Sequence, residues 1–490
     1  MNTSVLFPSC NTATLDPYIP DGTNPWNVQK VKHAYRRLGF SASQLEVDNA
    51  LALSPNDFID NLVDNAFNLP PTATPVWGNW SYNDFTDYET ENEQYIRDWF
   101  IQTGNDFLTD DLRGRMVAFW LNHFVTGLET YYYAPYLFQY YNVCQSHALG
   151  NLKDFVHAIG ITPAMLIYLN GFENTNVEPN ENYARELYEL FTLGESNGYI
   201  QDDITATAQA LTGWNHWDDY GAPIYFDTST WVDGNKTIFG QTGNWKYDDV
   251  IIILFQERGT LVANYICEKL YKFFVSPEVD ASIQATIIQP LAQTLINNNY
   301  ELVPLLKQLF KSEHFFNDRA IGVVIKSPFD LIFGYVKETG FFYDDTLMET
   351  FLYYSGVLGQ QLFNPPNVAG WQRDEDWINS STLTGRWQGI ESYLWILYDA
   401  GLQNSFVNFA KDLTNDSNDP AFITQVLIDH FVPKQLFTAT DYDVATDIFK
   451  WEVPQNYYDD GTWNLDWPDA WYQVLLLLKH IATIPEFQLK

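Results

Sequence analysis

Apolar residues return at helical spacing along nearly the whole chain, and this repeat limits the possible folds more than any other feature. Leu261, Val262, Tyr265, Ile266, Leu270 and Phe273 form one long stripe, and Leu302, Leu305, Leu306, Leu309 and Phe310 form a second. Met116, Phe119, Trp120, His123 and Phe124 follow the same rule at i, i+3, i+4, i+7, i+8. A stripe with this period must bury one face of a helix. Val31, Tyr35 and Leu38 open the series, with Gly39 closing their helix, and Val474 to Ile481 reads as a buried terminal helix. Alternating runs that would make half-buried strands are few and short. Val250 to Phe255 stays ambiguous, because so short an apolar run fits either a buried strand or part of a buried helix. The expected fold class is all-α.

At ~150 residues per domain, 490 residues would suggest about three units. No internal repeat, low-complexity tract or Gly/Ser linker divides the chain, so the expectation is one large multi-helix domain over 26–490. Residues 1–25, with Pro8, Pro17, Pro20, Gly22 and Pro25, read as an extended N-terminal arm. The clearest break in helical pattern runs from Trp214 to Tyr247. It reads as an irregular, aromatic-rich insertion holding Trp214, Trp217, Trp231 and Trp245. Loops longer than ~15 residues are usually functional or disordered, and four tryptophans to bury predict order here.

The formal net charge is −36, from 62 Asp and Glu against 26 Lys and Arg. The acids are ordinary in number and the bases are scarce, since about a quarter of an average chain is charged, split between the two signs. A base-poor chain cannot track a phosphate backbone, which excludes nucleic acid as a partner. It disfavours anionic lipid. With 46% hydrophobic and 17% aromatic residues, disorder is excluded too.

Cys10, Cys144 and Cys267 make neither a disulfide framework nor a Cys-x-x-Cys pair, so no structural zinc is expected. The start, MNTSVLFPSC, has no basic and apolar leader pattern. No apolar run approaches the ~18 residues that span a bilayer, and no membrane insertion is expected. The chain reads as soluble, and either cytoplasmic, a mature form lacking its signal, or exported by another route.

The densest cluster lies between Thr162 and Trp214. TPAMLIYLNG is followed by EPNENYARELYELFTLG and then GYIQDDITATAQALTGW. The middle segment predicts a helix from about Asn180 to Gly194, burying Tyr183, Leu187, Leu190 and Phe191. Glu181, Arg185 and Glu189 lie on the other face at i, i+4, i+8, and Glu186 falls on the border. A following helix is predicted from about Asp202, as N-cap, to Thr212, with Gly213 as its stop.

These motifs resemble the bacterial Domain of Unknown Function 1800 family. Further segments follow in family order: HAYRRLGF (33–40), RMVAFWLNHFVT (115–126), GNKTIFG (234–240), KLYKFFV (269–275), KSP (326–328), NPPNVAGW (364–371), WINSSTLTGR (377–386) and IPEFQ (484–488). The resemblance implies an exported bacterial protein, encoded beside a sulfatase-like partner family. It assigns no activity. It also exposes departures. Leu121 stands where the family carries the first histidine of His-Asn-His, and Trp231 and Val232 stand where it carries a His-Asp pair.

Several residues are candidates for chemistry. His123 could be a general base or metal ligand, or a hydrogen-bonded core histidine within its apolar stripe. Glu186 and Glu189 at i, i+3 can share a helix face, as in helical metal-binding bundles, although no Glu-x-x-His occurs near them, and paired carboxylates from different elements could instead run glycoside hydrolysis. Against that, Glu189 fits an ion ladder with Arg185. Arg36, Arg37, Arg115 and Lys236 could bind an anion, or could instead satisfy buried carboxylates. Asp202, Asp203, Asp218 and Asp219 do not fit a calcium loop. Ser380 and Ser381 lie in no nucleophile elbow, and no Walker A or dinucleotide fingerprint occurs, so no cofactor and no metal is expected.

Two functions follow. One is a non-catalytic scaffold or binding subunit of an extracytoplasmic assembly, which the loss of polar positions at Leu121, Trp231 and Val232 favours. The other is a hydrolase acting on a glycan or similar polymer. It would use Glu186 and His123 in a cleft roofed by Trp214 and Trp371, with Arg185, Glu189, Asp203 and Lys236 in binding roles.

Overall fold

A computed structural model describes residues 14–218 and 223–490. It is 61% helical with 3% strand, so the fold is predominantly α as the periodicity requires. Buried apolar side chains from Tyr18 to Phe487 form one contiguous cluster.

The helix Tyr247–Phe274 is the long axis of the middle of the chain. It absorbs Val250 to Phe255 and the stripe beyond, which resolves the ambiguity of that run in favour of helix. Six of its first nine residues are buried, Tyr247, Val250, Ile251, Ile253, Leu254 and Phe255, because helices Leu152–Gly160 and Gln289–Asn297 pack on it. By length and composition alone this helix could cross a bilayer, with mean hydropathy 1.3 over its best window, yet 56% of that window is buried inside the protein. Charged Glu257, Arg258, Glu268, Lys269 and Lys272 interrupt its apolar runs.

The other predicted helices appear as Val28–Leu38, Leu112–Leu121, Leu302–Lys311 and Ala470–Thr483. The third stripe outruns its helix. His123 and Phe124 lie just past the end at Leu121, but both stay buried. The terminal helix Ala470–Thr483 packs against Ser380–Asp399, Asn404–Thr414 and Ala439–Lys450.

Two local expectations need correction. The segment from Asn182 is α-helical only to Glu186, and then widens into a π turn, Leu187–Thr192, before Gly194 closes it at φ +95°. The next helix is Gln201–Ala210, and its N-terminus is capped by Asp203, not Asp202: the Asp203 carboxylate accepts the Ile200 N–H at 3.1 Å. The insertion is also less irregular than expected. It holds two small antiparallel hairpins, Trp214–Asn215 with Tyr225–Phe226 and Lys236–Ile238 with Gln241–Gly243. Asp219 lies outside the described residues, as do Cys10 and the first half of the arm. From Thr14 the arm is pinned to the body: Tyr18 N–H donates to Lys311 O at 2.8 Å, and Pro17 bridges Ser312.

Charge is distributed against the composition. Among the described residues Lys30, Lys32, Arg36, Arg37, Arg113, Arg115, Lys236, Lys326, Arg386 and Lys490 are buried, against Asp106, Asp203, Asp330 and Glu338 among the acids. A buried charge needs a partner, and there are too few carboxylates to go round. Carbonyl oxygens and ring faces fill the gap. Arg37 donates to Ala320 O at 2.8 Å, and Arg386 to Lys326 O at 2.7 Å. Lys326 Nζ sits 4.1 Å from the Phe487 ring centroid, and the Arg115 guanidinium 4.4 Å from that of Phe273. The richness in aromatics and the scarcity of bases thus meet in the core.

Candidate functional site

The buried acids and bases converge on the helix Pro328–Thr339. Ser327 caps it, with Asp330 as the reciprocal partner of a capping box. The same Asp330 accepts from Arg115 Nη1 at 2.7 Å and from Lys490 Nζ. Two turns on, Glu338 accepts from Arg36 Nε at 2.7 Å and from Ser41 Oγ. These cations hold both carboxyls below the ordinary range, Glu338 down to about 2, although burial alone would raise them.

In front of Asp330 opens a cavity of about 330 Å³. Arg115, Phe119 and Asn122 come from the end of the helix Leu112–Leu121. Lys269, Lys272 and Phe273 come from the last turns of Tyr247–Phe274, and Arg373 and Trp377 from the segment after NPPNVAGW. Five bases, Arg115, Lys269, Lys272, Arg373 and Lys490, line it against two acids, Asp330 and Asp374. Asp330 is committed to Arg115 and Lys490, and Lys272 pairs with Glu268 at 2.6 Å. Lys269 and Arg373 make no ion pair among the described residues. Burial and then the Arg373 charge bring the Lys269 amine down to about 8. Burial likewise lowers Arg373, although the residue reaches solvent, and a guanidinium stays protonated regardless.

A smaller cavity of about 190 Å³ adjoins the first, sharing Asn122, Lys269 and Arg373 with it and adding His123 and Leu190. His123 donates from Nε2 to Phe191 O at 2.9 Å, and Tyr265 OH donates to Leu190 O at 2.8 Å. Both satisfy carbonyls left open at the end of the π turn. Burial drives the His123 pKa down to about 3, so the ring is neutral with Nδ1 as its acceptor.

The NPPNVAGW loop closes this wall. Trp371 N–H donates to Asn122 Oδ1 at 2.6 Å. Gly370 adopts φ +95°, and a Cβ there would meet the Asn122 carbonyl oxygen at 2.7 Å and press on its side-chain oxygen. Only glycine fits that combination of left-handed backbone and close approach. Gly370→Ala is therefore expected to lower stability by ~1–3 kcal/mol. A thermal melt reads the loss, and unchanged stability would show that the contact is soft.

Of the residues singled out in the sequence, Arg115 lines the larger cavity and His123 the smaller, and the others lie elsewhere. Arg185 forms the ladder, to Glu181 at 3.1 Å and Glu189 at 3.4 Å. Asp203 caps its own helix and accepts Phe239 N–H at 2.8 Å, which ties the second hairpin down. Lys236 is buried with its Nζ 4.4 Å from the Trp231 centroid, and it donates to Gly234 O and Asn244 Oδ1. Trp231 thus packs as an aromatic wall, and Val232 N–H donates to Thr212 Oγ1 at 2.8 Å. Leu121 is core. Arg36 and Arg115 satisfy buried carboxylates, as the alternative reading of these bases required.

Glu186 is half-buried near Tyr168 and Glu189, and burial followed by Glu189 raises its pKa. It does not line the cavity that holds His123. Nor do the two tryptophans roof that cavity. Trp371 is sealed in the core with Nε1 on Gln361 O, and Trp214 packs on Phe226 in the first hairpin. No cluster of metal-ligating side chains occurs among the described residues. Ser380 and Ser381 form the first turn of a helix capped by Asn379. Cys144 and Cys267 are buried free thiols whose pKa burial raises.

The model of the family described as protein of unknown function (DUF1800) matches residues 33–489. The chain belongs to the DUF1800 family. No curated protein and no solved structure matches it. Several DUF1800-like motifs quoted from the sequence meet at the cavity: RMVAFWLNHFVT supplies Arg115 and Asn122, KLYKFFV supplies Lys269 and Lys272, KSP supplies Ser327, and WINSSTLTGR begins at Trp377. Lys269, Lys272 and Arg373 were not singled out for chemistry by the sequence reading. The signal that could have found them is scarcity: where bases are few, each base inside a motif asks for a reason.

Proposed function

We propose that this DUF1800 chain is a non-catalytic binding subunit and that the cationic cavity takes a small anionic ligand, a carboxylate or a sulfate. The observation that supports this is the gathering of five bases around one opening in a chain of net charge −36, with Lys269 and Arg373 left without acid partners. Screening over ~8 Å at physiological salt isolates the opening from the distant surface acids. Phe119, Phe273 and Trp377 give the ligand apolar walls, the usual lining of a small-molecule site. Of the possible partners named from the sequence, a glycan would fit this chemistry if it carried acid groups, a sulfatase-like protein would be consistent with a sulfate ligand, and the helix Tyr247–Phe274 is read as core. The hydrolase reading through Glu186 and His123 loses support because the two do not line one cavity.

Calorimetric titration with sodium sulfate and with pyruvate tests the proposal. Saturable binding is expected, weakened roughly ten- to hundredfold in Arg373→Ala, the cost of losing one charged hydrogen bond. Glu186→Gln is expected to leave it unchanged. No saturation, or binding indifferent to Arg373, would overturn the assignment.

A further inference from the structure

Binding an anion does not account for the state of Lys269. The residue lines both cavities. The adjacent Glu268 carboxylate is taken by Lys272, and Lys269 Nζ lies 5.0 Å from the Tyr265 ring centroid with no acid partner among the described residues. The other polar groups of the smaller cavity are the Asn122 amide, the neutral His123 ring and the Arg373 guanidinium. None of these favours a protonated amine as a carboxylate would. Lysines become nucleophiles in this setting, desolvated and beside another cation.

We propose that Lys269 forms an imine with a carbonyl compound that also bears an acid group, a 2-oxo acid or an aldehyde acid. This rests on the anion-binding reading, because Arg373 and Lys272 would hold the acid group and bring the carbonyl carbon to Nζ. The unprotonated Nζ adds its lone pair to that carbon, and the displaced carbonyl electron pair takes a proton on oxygen. That proton comes from the attacking nitrogen, and the carbinolamine then loses its hydroxyl as water while nitrogen gives up its one remaining proton and forms the C=N bond, so both amine protons end on the water. The balance is amine plus carbonyl giving imine plus one water, with no oxidant or reductant. An amine pKa near 8 leaves roughly two orders of magnitude more free amine at neutral pH than an ordinary lysine has.

The test traps the imine. The full chain is incubated with pyruvate and sodium borohydride, digested and analysed by mass spectrometry. Reduction should fix the label on Lys269 in about tenfold excess over any other lysine. Excess sulfate should protect it, and Lys269→Arg should abolish it. Label spread evenly over lysines, or absent from Lys269 while calorimetry still shows pyruvate bound, would overturn the imine and leave the binding reading standing. Absence of saturable pyruvate and sulfate binding would instead remove the binding reading. Far-UV dichroism and a thermal melt of the Lys269→Arg protein serve as the folding control.

Discussion

Asp330→Ala should be the most damaging single change near the cavity, lowering stability by ~3–5 kcal/mol. The carboxylate is buried and holds two buried cations, Arg115 and Lys490, while its oxygen also accepts the Ser327 N–H at 2.9 Å. Removing it leaves two positive charges in the core with no carboxylate in contact. Arg115 keeps the Phe40 and Phe273 ring faces, but its Nε has no hydrogen-bond partner even in the intact protein. The reciprocal half of the capping box, the bond from the Ser327 N–H, is lost at the same time, while Ser327 Oγ still accepts the backbone N–H of residue 330. A urea titration followed by far-UV dichroism measures the effect, and a loss below about 1 kcal/mol would show that water or a neutralised lysine absorbs the charge. Asp330→Asn separates the parts, since it restores shape and one acceptor without the charge.

Acid should unfold the protein over a defined window. Glu338 has its pKa lowered from 4.5 to about 2 in the folded state, chiefly because the Arg36 charge overcomes the opposing effect of burial. Asp330 is lowered by Arg115 and Lys490. A carboxyl with a depressed folded pKa contributes stability that is fully present above its unfolded pKa, and this is lost as pH falls toward the folded value. The carboxyl share of the stability should therefore be lost between about pH 4.5 and 2, with Glu338 alone accounting for about 3 kcal/mol, after an earlier decline that starts near pH 6.5, where the buried His123 and His430 gain protons only on unfolding. Denaturant melts across that range test it. Glu338→Gln should remove most of its share of the slope while lowering stability at neutral pH, and an unchanged slope would assign the acid response elsewhere.

Helix identity was written plainly in the sequence, because burying one face of a helix imposes a period that side chains must obey. Leu302 to Phe310 and Val474 to Ile481 became helices for that reason. What escaped was set by geometry between elements. Leu187 to Thr192 keeps an apolar pattern that fits an α-helix, and nothing local announces the wider turn, whose freed carbonyls are claimed by Tyr265 from another helix and by His123 from just past the end of one. The cavity escaped for the same reason. Arg115, Lys269 and Arg373 are more than 100 residues apart in sequence at each step, so only the packed helices bring them together. Glu186 and His123 looked like partners because their residue types suit acid–base work, yet type does not fix distance.

The Asp330–Lys490 contact also bears on how the protein is made. The two residues are 160 apart in the chain. At ~5–20 residues per second, translation needs on the order of ten seconds or more to pass from one to the other. Arg115 is already present when Asp330 emerges, but Lys490 is not, and neither is the backbone that pairs with Val324 and Lys326. Until then the carboxylate has one cation where the finished fold gives it two, and that edge of the cavity stands open to water. A nascent chain that stops short of Lys490 therefore carries Asp330 with Arg115 as its partner, and its cationic cavity lacks one of the five lining bases.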